Sequence, residues 1–190
     1  MFVLLTLMFS VALALREEEV WNTSARLSIA PVNPASLLGG KLLARLIIGT
    51  VQLLVLLLFG HFVYGLSLGH SPLAIIAVAT AVVASMTCFA AVVAAFVHTR
   101  EQAIPVGLAV AFVLASFGGL FWPLYDLPPT VQWIGKALMT TWSMTAIQDV
   151  MFRGRTLSGV SIELFVLCAY GLISFVIALR MFRYGDEAHS

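Results

Sequence analysis

The sequence predicts an all-α, polytopic integral membrane bundle with about five spans and re-entrant or interfacial helices on the outer side of the membrane. Of its 190 residues, 61% are hydrophobic and only 10% are charged, whereas soluble domains carry roughly 25% charged residues. No Asp, Glu, Lys or Arg lies between Arg45 and Arg100, a gap long enough for two membrane helices of about 20 residues each. The apolar runs also lack the alternation of barrel strands. Because backbone groups in lipid must pair internally, the spans are predicted to be helices.

Five apolar segments are predicted within one membrane domain, 1–190: they are 1–15, 42–66, 72–97, 103–122 and 162–179. The first segment reaches only about 22 Å as a helix, short of the roughly 30 Å hydrocarbon core. Its Ala12-Leu13-Ala14 resembles a signal-peptide cleavage site, but no basic residue precedes it. We therefore expect a partial span, truncated at its N-terminal end, in a chain that lacks upstream membrane structure.

The orientation follows from the tendency of Lys and Arg to accumulate on the cytoplasmic side. If the polar stretch 16–41 is cytoplasmic, seven of the ten Lys and Arg residues face inward. The inward residues are Arg16, Arg26, Lys41, Arg45, Arg100, Arg180 and Arg183, and the outward ones are Lys136, Arg153 and Arg155. We therefore predict a cell-membrane protein with its N-terminus outside, further spans over 42–180 and a cytoplasmic tail at 181–190.

Residues 123–161 are predicted to form short helices on the outer side. Prolines at 123, 128 and 129 stop the preceding span, because proline lacks an N–H and clashes one turn back. From Thr130, a suitable N-cap, apolar residues and threonines share one helical face as far as Thr145. The adjacent Gly118-Gly119 pair favours either a close backbone approach or a break in the chain direction.

Several classes of function are disfavoured. A net charge of +1 gives no bulk electrostatic basis for binding nucleic acid. A nucleotide-binding P-loop requires a glycine where Ala35 stands and a hydroxyl residue where Leu42 follows Lys41. Lys41 is instead interpreted as a lysine snorkelling at a helix start. We therefore expect no cofactor on this chain.

An intramembrane enzyme is a less favoured alternative. The acidic residues 17–19 could serve a metalloprotease only if histidines converged on them, and the four histidines are scattered along the chain. Gly65-Leu66-Ser67 has the letters of a serine-protease motif but stands at the end of a span. We therefore expect no metal and no catalytic residue. Glu163 is interpreted as a solvated charge at the start of the last span, favoured by the helix dipole, in preference to a proton relay.

Polar residues inside the spans have two interpretations. Their ordinary role is to form hydrogen bonds between helices, and intramembrane polar groups are also candidates for a substrate path. The path candidates are Gln52, His61 and Ser116. His61 is interpreted as a packing or pore residue and not as a catalytic base.

Two stretches resemble the ABC-2 family of exporter permeases. Pro31-Val32-Asn33-Pro34, followed by Gly40-Lys41, is similar to the Pro-Val-Ser-Pro and Gly-Lys that precede a membrane helix in that family. Thr23 matches the family's threonine, whereas Asn22 replaces a glycine and Ala25 replaces a glutamate. Residues 117–123, Phe-Gly-Gly-Leu-Phe-Trp-Pro, followed by Leu127-Pro128, resemble the stretch before the family's outer re-entrant helices. The order of spans fits the last five of the family's six helices.

The resemblance implies a permease subunit of an ATP-binding cassette exporter. Within 16–41 it implies a coupling helix at about 22–29, contacting a separate ATPase subunit that binds ATP and magnesium. The coupling residues are Asn22, Thr23, Ala25, Arg26, Leu27, Pro31, Pro34 and Lys41, and the outer motif residues are Gly118, Gly119, Pro123 and Pro128. A second permease subunit is expected as a partner, in a homo- or heterodimer. A membrane scaffold or anchor without transport is the alternative.

Overall fold

The computed structural model describes residues 3–8, 10–11, 34–69, 71–97, 99–122 and 128–187, and every regular element in these ranges is helical. Residues 3–8 and 10–11 form an N-terminal helical segment. The later helices are α1 (Pro34–Tyr64), α2 (Pro72–Phe96), α3 (Arg100–Phe117), α4 (Pro129–Lys136), α5 (Met139–Met151) and α6 (Ser161–Glu187), with a 3-10 turn at Leu157–Val160 before α6.

The predicted membrane fold class is confirmed by the length and composition of the helices. Three segments are long and apolar enough to cross a membrane: Leu38–Tyr64, Pro72–Phe96 and Leu157–Met181. A shorter apolar helix, Glu101–Phe117, accompanies them. This helix ends five residues before the end of the predicted segment 103–122, because the chain turns at Gly118 and Gly119.

Helix α2 is the centre of the bundle. In the most apolar stretch of α2, 50% of the residues are buried, compared with 17% in that of α1 and 22% in that of α6. Small residues bring its neighbours close: Gly171 of α6 lies where a Cβ would be 3.5 Å from Cα of Ser85, and Gly49 of α1 lies against Val83. Such close approaches increase the van der Waals packing that contributes to helix association in lipid, where helices gain no hydrophobic driving force by pairing.

The N-terminal segment belongs to this core. Leu4, Leu7, Met8 and Val11 are all almost fully buried, on one face at helical spacing. A Cβ placed at Gly49 of α1 would lie 3.0 Å from the Leu7 side chain. The segment therefore packs into the bundle along much of its described length.

One end of the bundle carries residues 65–69, 71 and 152–160, and we call it the loop end. Gly69, with φ +72°, places its Cα directly against the carbonyl of Val150, where a Cβ would not fit. This contact joins the start of α2 to the last turn of α5. Helices α2 and α6 therefore both run away from the loop end.

The single helix predicted from Thr130 is divided into α4 and α5. The N-cap of α4 is Pro128 and not the predicted Thr130. The Pro128 carbonyl accepts hydrogen bonds from the N–H groups of Val131 and Gln132. Pro129 occupies the first helical position, where its missing N–H would have had no partner in any case. Helix α4 stops at Lys136, and α5 begins at Met139.

Candidate functional site: the buried end of α3 and the adjoining cavity

Helix α3 ends inside the bundle on two glycines. The N–H of Gly118 donates to the carbonyl of Leu114 at 2.9 Å, and the N–H of Leu120 donates to that of Ala115 at 3.1 Å. Gly119 lies between them with φ +79°. A left-handed residue flanked by such a bond to the carbonyl five residues back is the Schellman ending, which glycine adopts without steric cost. The chain direction therefore changes at Gly119.

A side chain from α5 completes this helix end. The hydroxyl of Thr140 donates to the carbonyl of Leu114 at 3.0 Å, and the bond is buried. A Cβ on Gly118 would lie inside van der Waals contact of both the Thr140 hydroxyl and the Leu114 carbonyl. Gly118 is thus the residue that lets α5 reach the last turn of α3.

The turn between α4 and α5, residues 135–142, is held by side chains from two helices. Three successive carbonyls at the end of α4 each accept a side-chain hydrogen bond, from a threonine, a tryptophan and a tyrosine. The pairs are Thr141 Oγ1 to Gly135 O at 2.6 Å, Trp142 Nε1 to Lys136 O at 2.9 Å, and Tyr170 Oη to Ala137 O. We call residues 135–142 the α4–α5 corner.

The α4–α5 corner lies alongside the middle of α6. Tyr170 follows the first residue of α6, Ser161, by nine positions, a distance of about 14 Å along the helix axis. Because Tyr170 bonds to Ala137, the corner lies about 14 Å from the loop end along the axis of α6. Helix α5 then runs from the corner back to the loop end.

A cavity of ≈ 180 Å³ adjoins the corner and the end of α3. Its lining comes from the N-terminal segment, α1, α2, α5 and the turn after α3: Val3, Leu4, Leu53, Leu56, Val82, Met86, Leu120, Thr140, Ser143, Met144 and Ile147. Among the described residues, the hydroxyls in the lining belong to Thr140 and Ser143, and no charged group is present. Both hydroxyls donate to backbone carbonyls, at 3.0 Å and 2.9 Å respectively.

The loop end holds a buried carboxylate that the sequence analysis missed. Asp149 is 1% exposed and its two oxygens pair with Arg153 at 2.6 Å and Arg155 at 2.8 Å. The arginine side chains are 65% and 46% exposed. The four-residue spacing from Asp149 to Arg153 is the signal that could have found this pair, since such residues are neighbours on a helix.

Glu163 contradicts the interpretation of a solvated helix-start charge. It is 9% exposed, and its Oε2 has no hydrogen-bond partner among the described residues. Glu163 is buried because it does not stand at the start of the helical segment. Residues 157–160 form a 3-10 turn before α6, and the turn and α6 pack together against α2.

The three path candidates do not form one site. Gln52 is half-buried and its amide donates to the Thr6 hydroxyl at 3.3 Å, which joins α1 to the N-terminal segment. His61 is exposed, and its Nδ1 lies 2.7 Å from the carbonyl of Leu66, just beyond the end of its own helix. Ser116 is half-buried near the end of α3. None of the three lines the cavity.

Most of the coupling residues lie outside the described residues. These are Asn22, Thr23, Ala25, Arg26, Leu27 and Pro31, together with Pro123 of the outer motif. Pro34 begins α1, and Lys41 is half-buried within it. Helix α1 is thus continuous through Lys41 over 31 residues, about 46 Å, which exceeds the roughly 30 Å hydrocarbon core.

Comparisons with known proteins identify the family. A family model described as ABC-2 family transporter protein matches residues 1–180. Linearmycin resistance permease protein LnrN of Bacillus subtilis (strain 168) is 28% identical over 185 residues, which cover 96% of this chain and 47% of LnrN. The chain therefore spans about half the length of that curated relative. Because the family model matches nearly the whole of the present chain, this chain belongs to the ABC-2 transporter family of multi-pass membrane proteins.

Proposed function

We propose that this chain forms part of the substrate path of an ATP-dependent exporter, as the permease that a separate ATPase subunit drives. Membership of the ABC-2 transporter family supports this function, as does the similarity to a protein named a resistance permease. The sequence lacks the P-loop residues at Ala35 and Leu42, so ATP and magnesium are assigned to the partner. A second permease half completes the path.

The geometric observation that carries the proposal is the α4–α5 corner. An unpaired carbonyl in the hydrocarbon region costs several kcal/mol, and side chains donate to three carbonyls of this corner. Such an arrangement is expected of a re-entrant turn that dips into the membrane and returns. With the loop end facing outward, Lys136, Arg153 and Arg155 lie on the external half, in agreement with the distribution of positive charge.

ATP-driven motion reaches this region from the cytoplasmic side. We assign residues 22–29 to the helix that contacts the ATPase and Pro31 and Pro34 to a stiff joint, because proline fixes φ. The continuity of α1 from Pro34 to Tyr64 supports this assignment, since one rigid rod then spans both sides. Ala25, where the family carries a carboxylate, weakens the contact with the ATPase.

An export assay tests the assignment. Thr23, Ser24, Arg26 and Leu27 are replaced together by alanine in the complete protein, expressed with its ATPase. Linearmycin is the first compound to test, because the relative LnrN is named for resistance to it. We expect export and resistance to be lost while membrane insertion and the amount of protein are retained. Normal export by this variant would overturn the coupling assignment.

A matched control places two alanines on the other side of the membrane. Thr156 and Ser158 are both exposed at the loop end and share a 3.1 Å hydrogen bond. Their joint replacement by alanine should leave export unchanged. Purification of the complete permease with its ATPase, before and after the four-residue replacement, then measures the docking itself.

A further inference from the structure

The cavity beside the α4–α5 corner has the size and chemistry of a small-molecule site. Its volume of ≈ 180 Å³ exceeds that of a roughly 150 Å³ apolar cavity of the kind that stays dry and binds benzene or xenon. The cavity is half-open to the surface of the bundle, so a ligand can enter it without unfolding of the core.

The cavity lies directly behind an exposed apolar face of the bundle. Leu56 of α1 lines it and is still 39% exposed, and Leu53 and Met144 are half-buried in its wall. Only 17% of the most apolar stretch of α1 is buried, which shows that this helix faces largely away from the other described helices. Where this exposed face meets lipid, a molecule that reaches the cavity between α1 and α5 comes from the hydrocarbon phase.

The lining selects an uncharged, apolar group. Both hydroxyl protons are already donated, from Thr140 to Leu114 and from Ser143 to Met139. In the described part of the chain, no charged side chain lines the cavity to pair with an ionic ligand, and burying an unpaired charge is strongly unfavourable. Each methylene group transferred into such a space gains contacts that a void lacks.

We infer that this cavity binds a hydrocarbon group, either a single aromatic ring or the end of an alkyl chain, which enters laterally from the bilayer between α1 and α5. The group belongs either to a small compound dissolved in the membrane or to a membrane lipid. The inference does not rest on the proposed function, because occupancy of the cavity requires neither the ATPase nor export.

Photolabelling of the complete protein in lipid nanodiscs tests the inference. One arm uses a small uncharged aryl diazirine, and the other uses phosphatidylcholine that carries a diazirine at the end of one acyl chain. Labelled residues are mapped by mass spectrometry of peptides covering Leu53, Met86 and Met144. We expect labelling of cavity-lining residues in at least one arm, and the arm that labels identifies the source of the group.

Two variants fill the cavity from different helices, and one matched control does not. Leu53→Phe in α1 and Ser143→Leu in α5 both enlarge lining residues, whereas Leu58→Phe enlarges a residue of α1 that is 46% exposed and outside the lining. We expect labelling of the cavity to fall about tenfold in the filled variants, the loss for displacing roughly two methylene groups. The control should label like the unaltered protein.

A variant enters the comparison if its thermal unfolding midpoint matches that of the unaltered protein. Two filling positions on different helices are used so that one destabilised variant does not prevent the test. Labelling that is absent from the lining in both arms would overturn the inference. Equal labelling in Leu53→Phe, Ser143→Leu and Leu58→Phe would overturn it as well, because the label would then report the outer surface of the bundle.

Discussion

Helices α1 and α3 both end at a glycine in the left-handed region, yet the two ends are built differently. Beyond α1, Gly65 with φ +67° donates its N–H to the carbonyl of His61. The Nδ1 of His61 in turn lies within hydrogen-bond distance of the Leu66 carbonyl. All of these partners are within five residues, and the end is exposed. At the end of α3, the hydroxyl of Thr140, 26 residues further along the chain, bonds to Leu114 in the buried interior.

This difference shows that one local signal serves two structural purposes. A left-handed glycine ends a helix by satisfying its last carbonyls, whatever surrounds it. The end of α3 becomes a junction because Gly118, the residue before its left-handed glycine, has no side chain and so admits a second helix. Substitutions at the two ends should therefore have unequal effects on stability.

Gly118→Ala should have the largest effect. The added Cβ meets the Thr140 hydroxyl and a backbone carbonyl, and a carbonyl cannot move as a flexible side chain can. We expect a loss of about 3 kcal/mol in the free energy of unfolding, measured by thermal or denaturant unfolding in detergent. Gly39→Ala is the matched control, because no atom lies within 4 Å of its added Cβ, and alanine in a helix interior stabilises by about 0.5–1 kcal/mol. Equal changes at both glycines would show that the close contact at Gly118 has no special role in stability.

Asp149→Asn should follow, at the third helix end in this region. Helix α5 ends at the loop end with a buried carboxylate between two arginines. Removing one charge of a fully buried pair costs about 3–5 kcal/mol, but both arginines are well exposed, and solvent screening reduces this to about 2 kcal/mol.

Glu101→Gln is the control for that charge change. Glu101 lies in the first turn of α3 and is exposed, so its replacement should have almost no effect on unfolding. Unfolding measured at low and high salt separates the two cases further. Added salt should narrow the difference between Asp149→Asn and the unaltered protein only slightly, because Asp149 is shielded from the solution.

Thr140→Val should have a smaller effect because it keeps the shape and removes one donor. The Leu114 carbonyl retains its bond from the Gly118 N–H, so we expect a loss of about 1 kcal/mol. Thr80→Val is the matched control, since Thr80 donates to the carbonyl of Ile76 in its own helix at 2.8 Å and that carbonyl also belongs to the helix ladder. A comparable loss at Thr80 would mean that the bond across helices has no special role.

His61→Ala should have the smallest effect on stability. The ring is exposed and bonds only to the end of its own helix among the described residues, so the change in unfolding free energy should be within about 0.5 kcal/mol. Export is measured in parallel. Loss of export without loss of stability would assign His61 to the substrate path and show that its role exceeds that of a helix cap.

The sequence predicted the helical membrane class and the family, because both depend on composition and on short local motifs. It also marked Gly118 and Gly119 as a place of close approach or break. It did not predict that α4 and α5 would separate, since Ala137 and Leu138 carry no helix-breaking signal. That break depends on Thr141, Trp142 and Tyr170, and Tyr170 is 33 residues from its partner.

Charged residues at the loop end show the same limit. Asp149 lies in a helix that mixes apolar and hydroxyl side chains, and the packing of α5 against α2 and α6 makes it buried. Glu163 stands at a helix start, where exposure is the ordinary expectation, and the neighbouring 3-10 turn changes it. The substrate-path and coupling assignments of the sequence analysis remain predictions for the export experiments.

The depth of the α4–α5 corner in the membrane is the most direct test of the proposed re-entrant turn. Ala137 and Tyr64 are both exposed on the protein surface, so a difference in their access to water reports the bilayer. After replacement of Cys88 and Cys168 by alanine, single variants Ala137→Cys and Tyr64→Cys are treated in intact cells with a membrane-impermeant maleimide. A re-entrant corner predicts rapid labelling of Tyr64→Cys and labelling of Ala137→Cys only after the membrane is dissolved. Equal labelling of both variants in intact cells would contradict the re-entrant corner.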